Sequence, residues 1–227
     1  MKKILFAIML LAVKPAVAQF AIVHDTDGYV YVRKSAEKTN NISDTLHTGE
    51  PVWCFNPAGN WYSVDFKKHG EQLSGFIYRN RLQFLSAFDS IPVKSLQENR
   101  LILQKDSLII VITQGKFEPT KSKLGFQPGT KLLQTINGQH FFGTDGGMPK
   151  RQYSSIEVAY GKKHSSFTQQ QLENLFEPNL SSTKCYINRA TNTIYLTASN
   201  SDGAGAYELL WVIVNGEYKK RVEMISF

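Results

Sequence analysis

Three Asp-Gly pairs are the residues whose type and spacing first suggest chemistry: Asp27-Gly28, Asp145-Gly146 and Asp202-Gly203. Calcium takes about six to eight oxygen ligands, commonly with several carboxylates from one loop. The first loop offers two carboxylates and the other two offer one each, so a weak site at Asp145 and Asp202 requires their loops to meet. Asp and Gly are also typical turn residues. We therefore predict tight turns here, with Gly203 to Gly205 allowing close packing, and neither a metal nor another cofactor.

Thiol and imidazole chemistry has weak support in this chain. A thiol nucleophile needs a general base, commonly histidine, but the five histidines, at 24, 47, 69, 140 and 164, are scattered. We expect His140 to face solvent beside a hairpin. The motifs G-x-S-x-G, H-E-x-x-H and the glycine-rich phosphate loop are absent from the sequence. We expect no enzymatic activity, and an enzyme that uses Asp145 and Asp202 is the third-ranked alternative.

Two cysteines, Cys54 and Cys185, lie in separate strand-like segments. A disulfide between them is one interpretation, because the sequence predicts an exported chain. We favour two separate buried thiols, because free cysteine is among the most buried residue types.

Aromatic residues are the better candidates for function, and they favour binding. Flat rings stack on extended peptides or sugars with little loss of conformational entropy. Some rings must fill the core, and Trp53 and Tyr62 have that alternative role, or one in an interdomain contact. The predicted ligand-binding residues are Tyr29, Tyr31, Trp53, Trp61, Tyr62 and Tyr78.

The segment 19–85 predicts short strands joined by turns. Val30 and Val32 alternate with Tyr29, Tyr31 and Arg33, as a strand with one buried face requires. A small closed barrel of five or six strands would remove the exposed edges of such a sheet.

Four stretches in this segment, "DGYVYVRKSA", "LHTGEPVWCF", "NWYSVDF" and "GFIYRNRL", resemble the bacterial SH3 domain family. Tyr31 and Ala36 depart from the family pattern, which has Asn and Pro there. The resemblance implies an SH3-like small barrel that binds peptidoglycan stem peptides or protein segments.

Bacterial SH3 domains often accompany NlpC/P60 peptidases, whose catalytic Cys precedes a His. No histidine follows Cys185, and Cys54 lies within the SH3-like segment, so the order excludes that enzyme class.

Residues 86–99 lose the alternation and include Pro92, so we predict a linker there and a second, β-rich (α+β) domain over 100–227. The apolar run 107–113 predicts a strand buried on both faces. Asn137-Gly138 and Asn215-Gly216 predict hairpin turns. "TQQQLENLFE" (168–177) predicts the one short helix, with Thr168 and Gln171 as a capping box. The fold class is therefore mainly β. Parts of this half resemble a module of uncharacterised exported bacterial proteins.

The first 18 residues predict a secretory signal peptide. Lys2 and Lys3 precede an apolar run over 4–13, and small residues at 16 and 18 precede Gln19. We expect cleavage near Ala18, a periplasmic or secreted chain, and no transmembrane segment.

The charge excludes one class of partner. Without Lys2, Lys3 and Lys14 the chain has 23 basic and 19 acidic residues, a net charge of +4, which is too low to predict nucleic-acid binding. The leading hypothesis is a non-enzymatic exported protein that binds a cell-envelope ligand, either a peptidoglycan peptide or a protein partner. The alternative is an immunity protein or inhibitor that blocks a toxin or a cell-wall hydrolase.

Overall fold

The computed structural model describes residues 18–225, and the predicted signal peptide over 1–18 lies outside them except for its last residue, Ala18. Seven strands form the first sheet, in the order β3-β2-β6-β5-β4-β1-β7. The sheet curls around a core that includes Val32, Val52, Val64 and Ile77. Its strands are β1 (Gln19–Val23), β2 (Tyr29–Arg33), β3 (Ile42–His47), β4 (Pro51–Ala58), β5 (Trp61–Lys68), β6 (Glu71–Tyr78) and β7 (Leu82–Phe84).

The sequence predicts a closed barrel, but the first sheet of the structure is an open half-barrel. Strands β3 and β7 end the sheet, so it has two edges and seven strands instead of the closed five or six. The inward face follows the predicted alternation, since Val30 and Val32 are buried whereas Tyr29 and Tyr31 are exposed.

The predicted linker 86–99 contains two short strands. β8 (Asp89–Ile91) and β9 (Val93–Gln97) flank Pro92. β8 adds to the edge of the third sheet and β9 to the edge of the second. The segment therefore adds one strand of three residues and one of five residues to sheets whose other strands all come from the C-terminal half of the chain.

The second sheet has the order β15-β14-β11-β10-β9, and a separate two-stranded ribbon pairs β12 with β13. Strand β11 alternates between buried and half-buried residues, so the prediction that 107–113 is buried on both faces is wrong. Only one face of β11 packs into the core, and the residues of the other face are mostly half-buried. The remaining strands here are β10 (Arg100–Lys105), β11 (Leu108–Lys116), β12 (Leu124–Phe126), β13 (Leu133–Ile136), β14 (Arg151–Tyr160) and β15 (Lys163–Ser166).

The third sheet is the middle layer. Its order is β19-β18-β17-β16-β8, and it adds β16 (Lys184–Asn188), β17 (Thr193–Asn200), β18 (Tyr207–Val214) and β19 (Glu217–Met224). Leu209 and Trp211 of β18 join the core shared with the second sheet. Leu210 and Val212 join a core shared with Phe20 and the rest of the first sheet. Strand β18 is therefore buried on both faces.

The helix is shorter than predicted. α1 (Gln169–Leu172) begins at Thr168, whose capping box with Gln171 is present. It ends before Asn174 because that residue and Glu177 take positive φ, and the following residues form β-bridges with Phe142 and Gln152. Tertiary pairing therefore ends the helix, although the apolar periodicity continues to residue 176.

Short 3₁₀ turns complete the described chain at Arg79–Arg81, Leu85–Ala87, Pro119–Lys121, Leu180–Ser182 and Gly203–Gly205. Both Asn-Gly turns have the positive φ values of type I′ turns. Asn215-Gly216 joins β18 to β19 as a hairpin, whereas Asn137-Gly138 is closed only by a bridge between Ile136 and Gln139. None of the helices within 18–225 could cross a bilayer.

Candidate functional site

Four of the six predicted aromatic residues line one groove on the outward face of the first sheet. The groove has a volume of about 570 Å³. Tyr29 and Tyr31 are 39% and 43% exposed, while Trp61 and Tyr78 are half-buried. The fold therefore brings together four of the predicted ligand-binding residues: Tyr29, Tyr31, Trp61 and Tyr78.

Strand register explains why these rings meet. In β2, the valines at 30 and 32 point into the half-barrel, so Tyr29 and Tyr31 point outward. In β5 and β6, Trp61 and Tyr78 are directly opposite each other, and cross-strand partners share a face of the sheet.

The rings form two edge-to-face pairs. Tyr29 and Tyr31 have ring centroids 5.4 Å apart at an interplanar angle of 71°. Trp61 and Tyr78 are 5.1 Å apart at 89°. Edge-to-face pairs are favourable, and they leave ring surface open to the groove.

A cation lies beside the aromatic pair. The guanidinium carbon of Arg33 is 6.0 Å from the centroid of Trp61, within the range of a cation–π interaction. Arg33 donates to the carbonyl of Thr39 and, at 3.1 Å, to Oδ1 of Asn41. The loop after β2 therefore holds the guanidinium in place, and Lys38 of the same loop also lines the groove.

An ion pair closes the other end of the groove. The carboxylate of Asp25 is buried and pairs with Arg81, whose side chain is 44% exposed. Asp25 also accepts from the backbone N–H of Asp27 at 2.8 Å. The Asp25 carboxylate is therefore already paired within the protein, and Asp27 is the acidic residue at this end of the groove that has no ion pair among the described residues.

The electrostatics of the groove favour a ligand with negative charge. Once the pair of Asp25 and Arg81 is set aside, Arg33 and Lys38 outnumber Asp27. The pKa of Tyr29 is raised, first by hydrogen bonding to Tyr31 and then by the charges of Tyr31 and Asp27, so its hydroxyl keeps its proton at neutral pH. Chemically, the groove offers ring faces, phenol hydroxyls and two cations. It contains no nucleophile with an aligned base.

Trp53 and Tyr62 lie outside the groove, so the structure does not bring these two predicted ligand-binding residues together with the other four. Trp53 is 5% exposed and packs on Phe20 at 4.8 Å in the core between the first and third sheets. Its Nε1 has no acceptor among the residues described. Tyr62 packs against the inner core of the half-barrel and lies 5.0 Å from the ring of Phe84. Both take the core role that the sequence left open.

The loops of Asp145 and Asp202 do meet, as a shared site requires. Both line a second groove, where Ser201 Oγ donates to the carbonyl of Gly143 at 2.7 Å. A Cβ on Gly205 would lie 2.9 Å from Thr144 Cα, so glycine permits the predicted close packing. Within residues 18–225, no three His, Cys, Asp or Glu side chains are grouped to hold a metal.

The thiols are separate, as predicted. Cys54 and Cys185 are both free and buried, and burial raises the pKa of each thiol well above its usual range. Neither can serve as a thiolate at neutral pH. His140 is exposed, also as predicted.

Sequence reasoning weighed the first Asp-Gly loop only as a turn or a calcium loop, and it assigned none of the polar residues of the groove to ligand binding: Asp25, Asp27, Arg33, Lys38, Asn80 and Arg81. Arg33 had a usable signal, because it follows Tyr29 and Tyr31 at alternate positions of one strand. Asp25 and Arg81 are too far apart in the chain for spacing to link them.

Comparisons of the chain with protein-family models, with curated proteins and with solved structures found no match. Function is therefore argued from the residues and geometry of the groove.

Proposed function

We propose that this protein is a non-enzymatic binding protein of the cell envelope that holds an extended peptide in the groove of Tyr29, Tyr31, Trp61 and Tyr78. The single observation that supports the proposal is that two open aromatic pairs on the outward face of the sheet lie beside two cations. The shared ligand chemistry is an extended peptide that carries carboxylates. Peptidoglycan stem peptides and acidic segments of envelope proteins are the two sources.

Rigid aromatic side chains suit this function. Tyr and Trp contribute large contact areas with few rotatable bonds, and they dominate the energetics of many interfaces. Each strand fixes its rings by backbone pairing, so binding orders little that is mobile. The cations then select peptides with a carboxylate near the ring faces.

Binding measurements test the proposal. Purified sacculi, soluble muropeptides and an envelope protein extract are offered separately to the wild-type chain and to Trp61→Ala and Tyr31→Ala. We expect each substitution to weaken binding about tenfold or more, since truncation of a central aromatic anchor typically costs above about 1.4 kcal/mol. The matched control is Phe126→Ala, which removes a ring that is 46% exposed outside the groove and should bind as the wild type does.

The three arms separate the sources. Retention on sacculi and muropeptides that depends on Trp61 supports a wall peptide, whereas capture of one envelope protein through the groove supports a protein segment. Inhibition of a captured hydrolase or toxin would favour the inhibitor function. Equal binding by the wild type and Trp61→Ala in all arms would refute the proposal.

A further inference from the structure

A separate cleft lies between the first and third sheets, at the start of β1. Its volume is about 280 Å³, and its lining includes Ala18 and Gln19 on one side and Glu208 on the other. The Ala18 side chain packs on the core between these sheets. Cleavage after Ala18, as the sequence predicts, would remove this residue and leave a new α-ammonium group on Gln19 within the cleft.

The carboxylate of Glu208 faces this cleft. In β18, Tyr207 and Leu209 point to the core shared with the second sheet, so Glu208 points with Leu210 toward the first sheet. It accepts from Ser199 Oγ at 2.6 Å. Glu208 therefore lies on an interlayer face, where carboxylates are uncommon.

Glu208 lacks a cationic partner in the part of the chain that the structure describes. No ion pair within residues 18–225 includes it. Burial raises its pKa, against the smaller opposing effects of the Ser199 hydrogen bond and of the charge on Lys184. Lys184 also lines the cleft, but it is not within ion-pair distance of Glu208. A partly desolvated carboxylate without a paired cation destabilises the fold, and an ammonium that pairs with it relieves that cost.

We propose that the α-ammonium of Gln19, created when the leader is removed, pairs with the carboxylate of Glu208 and joins the first sheet to the third. The pairing makes processing of the chain a step that stabilises the interface between the two halves. This inference rests on cleavage after Ala18 and is independent of the groove and its ligand.

Thermal unfolding of two chains tests the pairing. One chain begins at Gln19 with a free amine, and the other keeps Ala18 behind an added Met. We expect the chain that begins at Gln19 to melt about 2–4 °C higher, the shift that one ion pair of this kind gives in a chain of this length. Glu208→Gln should remove the difference. The control Glu157→Gln, at an exposed strand residue outside the cleft, should preserve it.

Two further measurements keep the proposal falsifiable. An NMR titration should give Glu208 a lower carboxyl pKa in the chain that begins at Gln19, because a nearby ammonium favours the charged form. Intact mass of the exported chain should correspond to an uncyclised Gln19. Equal melting temperatures, a difference that survives Glu208→Gln, an unchanged Glu208 pKa, a cut at another residue, or a cyclised Gln19 would each overturn it.

Discussion

Trp53 and Trp61 lie on the same outward face of the first sheet, but their surroundings are opposite. Trp53 is directly across from Asp65, and Trp61 is on the Asp65 side of β5 because four residues separate them. The third sheet covers Trp53, whereas Trp61 borders an open groove. One face therefore has a covered part, which joins the two halves, and a bare part, which we assign to binding.

The comparison shows that the alternation of side chains along a strand does not determine whether another layer of the protein covers them. Both tryptophans point to the same face of the sheet, so alternation along the strands predicts the same environment for both. What decides their roles is whether another layer packs there. The cover over Trp53 includes Tyr195, Leu210 and Val212, which lie well over a hundred residues away in the sequence.

The largest expected effect is on stability. Trp53→Ala should lower the free energy of unfolding by about 3–5 kcal/mol, because it opens a cavity in the core between the sheets. Trp61→Ala should cost only about 1 kcal/mol, because its ring already borders solvent. Urea unfolding of both variants measures the contrast. If both variants lost a similar free energy of unfolding, the covered and bare parts of the face would not differ in burial as described.

Fluorescence quenching should sharpen the comparison. Trp53 and Trp211 are 5% and 0% exposed, so iodide should quench mainly the emission of Trp61. We expect Trp61→Phe to remove most of the quenchable signal, with Trp53→Phe as the matched control that leaves it in place. If Trp61→Phe left quenching unchanged, the groove would not be open as described.

The smallest expected effect concerns Tyr29 in the bare part. Tyr31 raises the pKa of Tyr29, first through its hydroxyl hydrogen bond and then through its charge. Tyr31→Phe should therefore lower the Tyr29 pKa toward the ordinary value of a tyrosine, and Tyr78→Phe should leave it unchanged. An NMR titration of the Tyr29 ring measures both. An unaltered pKa in Tyr31→Phe would show that the two hydroxyls are not coupled.

Much of the fold could be predicted because its signals are local. Alternation placed Val30 and Val32 in the core, Asn215-Gly216 marked a hairpin by its backbone requirement, and the mainly β class followed from many such segments. The capping box located the start of α1, but the helix ended early because Asn174 and its neighbours pair with distant strands.

The rest required knowledge of contacts between distant residues. Nothing local distinguished β11, covered on one face, from β18, covered on both. The same limit applied to the site: the aromatic content of the segment indicated Tyr29, Tyr31, Trp61 and Trp53 alike as candidates, and only the fold separates Trp53 from the other three. Asp25 and Arg81 met only through the curl of the sheet.

The central claim, that the bare part of the outward face binds a peptide, is tested most directly by the three tryptophan indole N–H signals in a ¹H–¹⁵N spectrum. Each tryptophan gives one such signal, and muropeptides or an acidic peptide are added stepwise. Our account predicts that the Trp61 signal shifts progressively to saturation while those of Trp53 and Trp211 stay in place. A shift of the Trp53 signal with Trp61 unmoved, or no shift with either ligand, would contradict it.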